Sequence, residues 1–155
     1  MSHQFVSFNL RAVSGAHLFE AARSMVEEEH YGPAVVVAQA AVEVGFETSI
    51  YFALQMREVP ESLQDWIEQR STIGSWSPDQ TRVKRLWTAL TGDRIGEARG
   101  WAAYKEGLDA RHRFVHRAGM VTREQAEGFI DAAEQIVGHL VEVLQATFPD
   151  PIVRP

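Results

Sequence analysis

Residues 122–149 read TREQAEGFIDAAEQIVGHLVEVLQATFP. Ala126, Phe129, Ile130, Ala133, Ile136, Val137, Leu140, Val141, Leu144 and Phe148 recur at steps of three and four. That spacing puts them in one stripe of an amphipathic helix. Thr122 and Gln125 stand at capping-box spacing ahead of it, and Pro149 and Pro151 end it. No other stretch of the chain has so clean a period, and a helix this long needs other helices to cover its stripe.

Working back from there, the period stays helical as far as Ser14. Residues from about Ile95 to Arg117 predict a helix with Gly119 as its stop. Val83, Leu86, Trp87 and Leu90 predict another, opened by a Ser77/Gln80 capping box and closed by Gly92 in the left-handed position. Ser71 to Pro78 read as a loop, and Leu63, Trp66 and Ile67 as a short helix after Pro60. The segment from about Ala34 to Arg57 is apolar nearly all round, which marks a helix buried on most sides. Its exceptions, Gln39, Glu43 and Glu47, fall four apart and form one polar stripe. Leu18, Phe19, Ala22, Met25 and Val26 share a face of a first helix, which Gly32-Pro33 ends.

The one departure is Val6 to Arg11, where apolar and polar residues alternate as in a half-buried strand. A lone strand pairs with its own copy in a dimer or lies over helices as an arm. The expected fold is therefore all-α. It is an antiparallel bundle of about four long helices plus one or two short ones over residues 15–148, with an extended arm at 1–14 and a tail at 149–155.

Composition narrows the function. Among 155 residues there is no cysteine, so disulfides, Cys-ligated zinc and thiol catalysis are excluded. The net charge of −6 argues against broad nucleic-acid coating but leaves room for a small basic site. The longest apolar run, Ala34 to Ala38, is far short of the roughly 20 residues of a membrane span. The start, MSHQFVSFNLR, lacks a basic region followed by an apolar block, so a cytoplasmic protein without a membrane anchor is expected.

One segment breaks the bundle pattern. Trp101, Tyr104, Leu108 and Val115 share a helix face, and Arg111 falls seven past Tyr104 on that same face, with His112 beside it. Burying an unpaired charge is very costly, so these slots must open onto a cleft, a partner subunit or a compensating acid. Around them runs Arg111-His112-Arg113-Phe114-Val115-His116-Arg117, three arginines and two histidines with no acid. Such a cluster suits a phosphate. Glu43 and Glu47 are the candidate acids; the bland alternative is that their stripe is the solvent face of its helix.

Arg111-His112-x-x-x-His116 resembles the Arg-polar-x(3–5)-His motif of HEPN domains. Two further Arg/His pairs, Arg11/His17 and Arg23/His30, have similar spacing. Only the third lies in a basic run at a helix end with a long helix after it. The family favours Asn after the Arg, where this chain has His112. The layout of residues 15 to 148 matches a HEPN bundle in number and order of helices.

The resemblance implies a metal-independent endoribonuclease working as a homodimer, often a toxin or phage-defence effector. It equally allows a module without catalysis that binds RNA, a nucleotide or a protein partner such as a nucleotidyltransferase antitoxin. No metal or cofactor is expected. In the nuclease, His116 would be the base, since histidine titrates near neutral pH. Arg111 would clamp the phosphate, and His112 or a second subunit's histidine would be the acid. Arg113, Arg117, Glu43 and Glu47 are the candidate substrate-binding residues.

Three bland readings complete the expectations. His112 and His116 have metal-ligand spacing but no third ligand near. Arg82 to Arg85 read as a solvated helix face, and the four tryptophans as core and dimer packing. His139 reads as a surface residue.

Overall fold

The computed structural model describes residues 15–69 and 75–149, and all of its regular structure there is helical. The elements are α1 (Ala16–Glu27), α2 (Tyr31–Met56), α3 (Glu61–Gln69), α4 (Thr81–Thr91), a 3₁₀ turn (Ile95–Glu97), α5 (Trp101–Arg117) and α6 (Arg123–Thr147). The expected arm and tail lie outside the described residues, apart from Pro149.

α2 is the hub. It packs chiefly against α6 and α1, and also against α4 and α5. Its all-round apolar sequence is explained by that position: Ala34, Val35, Ala38, Ala41, Val42, Phe46 and Ile50 are all sealed from solvent. By length and composition alone α2 is apolar enough to cross a membrane, with a mean hydropathy of 1.3 over its best window. Just over half of that window is covered by the rest of the bundle.

α6 buries the predicted stripe from Ala126 to Phe148, with only Val141 half-buried. Its capping box forms as expected: the Gln125 N–H donates to Thr122 Oγ1 at 3.2 Å, and the Thr122 N–H donates to Gln125 Oε1 at 3.0 Å. Two glycines let helices approach closely. A Cβ on Gly107 would lie 1.9 Å from Phe129 Cδ2, and one on Gly32 would lie 2.3 Å from Phe114 Cε2. Gly107 thus sets α5 on α6, and Gly32 sets α5 on α2.

Several element ends differ from expectation. α1 stops at Glu27, not at Gly32-Pro33. The His30 N–H donates to the Met25 carbonyl and the Glu29 N–H to the Val26 carbonyl, with Glu29 left-handed (φ 64°). Those bonds make a Schellman stop built on a non-glycine residue. Pro33 sits in the first turn of α2, where its missing N–H has no intrahelical acceptor to lose. The Ser77/Gln80 box does not form: α4 starts at Thr81 after Gln80, which makes no side-chain cap. Gly92 does close α4 in the left-handed conformation (φ 79°). The helix expected from Ile95 is broken, because Ala98 is extended and Gly100 left-handed (φ 85°), so α5 begins at Trp101. Finally, α5 stops on Ala118 (φ 51°) rather than on Gly119.

The tryptophans divide. Trp87 is sealed in the core edge-on to Phe46, and Trp76 and Trp101 are partly covered. Trp66, on the outer face of α3 with Leu63, is 53% exposed, so it packs no core.

Candidate functional site at the end of α5

α5 runs unbroken through Arg111 and His116 to Arg117. On a continuous helix those two residues are about 140° apart, so they leave it in different directions. His112, Arg113, His116 and Arg117 are exposed. The imidazoles of His112 and His116, one turn apart, lie with ring centroids 4.6 Å from each other. None of Arg111, Arg113 and Arg117 forms an ion pair with the described residues. The last turn of α5 closes on the Arg113 carbonyl, which accepts from the Ala118 and Gly119 N–H groups.

Arg111 is half-buried, and its Nε is sealed from solvent with no hydrogen-bond partner. The sequence expectation that this arginine occupies a core-facing slot is met. The companion expectations are corrected: His112 turns to solvent, and Val115 is 44% exposed. The buried face of α5 runs through Tyr104, Leu108, Arg111 and Phe114, following the 3.6-residue period, and leaves Val115 outside.

Beneath Arg111 lies a polar layer between α5, α2 and the turn before α4. Tyr104 is fully buried, its ring stacked on Phe129 at 5.3 Å. Its hydroxyl has no hydrogen-bond partner. Burial, and then the Glu43 and Asp79 carboxylates, push the phenol well above the ordinary tyrosine pKa, while Ser77 and Arg111 pull the other way. Ser77 therefore sits close to the phenol but outside good hydrogen-bonding geometry. Gln39 is 7% exposed; its Nε2 donates to Glu43 Oε1 at 2.8 Å and its Oε1 has no partner. Asp79 pairs with Lys105 of α5.

The stripe Gln39–Glu43–Glu47 is thus not the solvent face of α2. That face carries Pro33, Ala40 and Val44, while the stripe is buried or half-buried. Glu43 belongs to the neighbourhood of Arg111 and Tyr104. Glu47 is half-buried and makes no hydrogen bond or ion pair with the described residues. The structure therefore brings together Glu43, Tyr104 and Arg111 on one side, and His112, Arg113, His116 and Arg117 on the exposed side.

Two features escaped sequence reasoning. Tyr104 read only as an apolar-face residue, although its seven-residue offset from Arg111 already marked the pair. His139 is not a surface residue: Nε2 lies 3.0 and 3.1 Å from the two Asp93 oxygens, and the Trp87 indole N–H donates to Asp93 Oδ2 at 2.7 Å. No sequence spacing signals that link. Among the described residues, no group of three or more His, Asp or Glu side chains is placed to hold a metal ion. A groove of about 370 Å³ lies elsewhere, between α1 and α6, floored by Phe19, Val137 and Val141, and includes none of the expected site residues.

No family model, no curated protein and no solved structure matches this chain.

Proposed function

We propose that the protein is a HEPN-like, metal-independent endoribonuclease of the cytoplasm that works without a membrane anchor, as a homodimer. The observation that carries the proposal is the exposed turn of α5. There Arg113, Arg117, His112 and His116 face solvent with no ion pair to the described residues, in a chain of net charge −6. Unneutralised guanidinium groups suit an RNA phosphate, and the two imidazoles beside them are groups that can pass a proton.

RNA carries its own nucleophile. His116 takes the proton from a 2′-hydroxyl, and that oxygen bonds to the adjacent phosphorus. The bond from phosphorus to the 5′-oxygen breaks, and the departing oxygen takes a proton from His112 or from a histidine of a second copy. The products are a 2′,3′-cyclic phosphate and a 5′-hydroxyl. Arg111 clamps the phosphate as charge builds on it. Because Arg111 and His116 diverge on a straight helix, the complete site needs two copies facing one cleft. A toxin or phage-defence role fits such an activity.

One observation favours a second reading. Arg111 is half-buried with its Nε sealed, while His116 is exposed, as expected for a module that binds RNA, a nucleotide or a nucleotidyltransferase-type antitoxin without cutting.

The test is incubation of the pure protein with mixed-sequence RNA in EDTA beside its His116→Ala variant. Cyclic-phosphate ends from the wild type alone are expected. Cleavage that survives the substitution removes His116 from the role of base. Saturable binding without turnover, weakened by Arg111→Ala, selects the module.

A further inference from the structure

We propose that Tyr104 and Glu43 are positioning residues for Arg111, holding its guanidinium from inside the bundle. The inference rests on Arg111 being the working cation of the site.

The register of α5 on α2 leads there. Phe114 packs on Gly32. From Gly32 to Glu43 is about 16 Å along α2, and from Phe114 back to Tyr104 about 15 Å along α5. The antiparallel pair therefore sets Tyr104 level with Glu43. Helical side chains lean toward their own N-terminus, so Arg111 leans toward the level of Gln39 and Glu43.

Three polar atoms in this layer are sealed and unpartnered: Arg111 Nε, the Tyr104 hydroxyl and Gln39 Oε1. Orphaned buried groups are few in folded proteins, and each needs a physical reason. Here two of them are complementary. A phenol can accept from the arginine Nε–H and donate to a carboxylate at once. Glu43 is that carboxylate, steadied by Gln39 at 2.8 Å. Arg111 joined to such a relay through Nε keeps its terminal nitrogens for an external phosphate. A small closing movement of α5 on α2, as when an anion draws on Arg111, completes both bonds. Removing the Tyr104 hydroxyl would then loosen Arg111 in the anion-bound form and leave the stability of the free protein unchanged, because there the buried hydroxyl has no partner.

The test uses the intact chain labelled with ¹⁵N, and follows solvent exchange of the Arg111 Nε–H, identified by its disappearance in Arg111→Lys. With inorganic phosphate present to draw on Arg111, the exchange in Tyr104→Phe and in Glu43→Gln should rise about tenfold over wild type, while melting temperatures in phosphate-free buffer are held. Unchanged exchange in both variants overturns the proposal. The same proteins are titrated with mixed-sequence single-stranded RNA in EDTA. Tyr104→Phe should weaken binding about tenfold, and should do nothing further once Arg111→Ala is present. Equal losses in both backgrounds overturn the positioning role. Wild type that fails to bind RNA sinks the proposed function, while the exchange result still decides the role of Tyr104.

Discussion

Tyr104 concentrates the physical chemistry of this chain in one side chain. It is sealed, stacked on Phe129 and surrounded by charges of both signs, and its phenol is held neutral well above the usual range. The unfolded chain releases this proton near pH 10, and the folded chain keeps it. Above that pH the folded state binds more protons than the unfolded one, so stability falls as pH rises. The slope is about 1.4 kcal/mol per pH unit from this group. Urea melts between pH 9 and 11 should show a steeper loss for wild type than for Tyr104→Phe. Parallel curves would mean that the phenol ionises as freely in the fold as outside it. The alkaline absorbance of the native protein should correspondingly lack one of its three tyrosines. Tyr104 was legible in the sequence as a face residue. Its charged surroundings were not, because Glu43 and Asp79 come from two other segments.

At the scale of elements, α5 is held by close approaches that the sequence marks only as glycines. Gly107→Ala gains about 1 kcal/mol of helix propensity. It also drives a methyl into the Phe129 ring, where overpacking costs 1–3 kcal/mol or more. At a contact this close the cost lies at the upper end, about 3 kcal/mol, so the clash wins and a net loss of about 2 kcal/mol is expected in denaturant melts. Gly128 of α6 has nothing within 4 Å of where a Cβ would stand, so Gly128→Ala should stabilise by roughly 0.5–1 kcal/mol. Equal effects from the two substitutions would refute the tight α5–α6 contact. The break between Ile95 and Trp101 belongs to this scale too. Periodicity runs smoothly through it, but the left-handed backbone at Gly100 divides a helix that composition alone would continue.

For the whole molecule, the link of His139 and Trp87 through Asp93 matters most outside the site. It ties α4 and the segment leading into α5 to α6. Asp93→Ala leaves the buried Trp87 indole N–H without an acceptor, which should cost about 2 kcal/mol, whereas Asp93→Asn keeps an acceptor and should cost less. Amide exchange in residues 92–100 should rise with the first variant. A wild-type melt for Asp93→Ala would show that the link carries no stability. The surface pairs of Arg23 with Asp131 and Glu134, and of Arg123 with Glu27, also join α1 to α6. Their exposure makes each a small term.

The sequence alone determined the all-helical character, the α6 stripe and its capping box, the central place of α2, and the intrusion of Arg111 into an apolar face. All of these are local in the chain: they follow from a period of 3.6 residues and from the cost of burying charge. Tertiary structure decided which polar groups meet. Glu43 and Arg111 both act on the Tyr104 phenol because α5 crosses α2 antiparallel on Gly32. His139 meets Asp93 across a separation of 46 residues. It also keeps α5 helical to Arg117, so that Arg111 and His116 leave it about 140° apart.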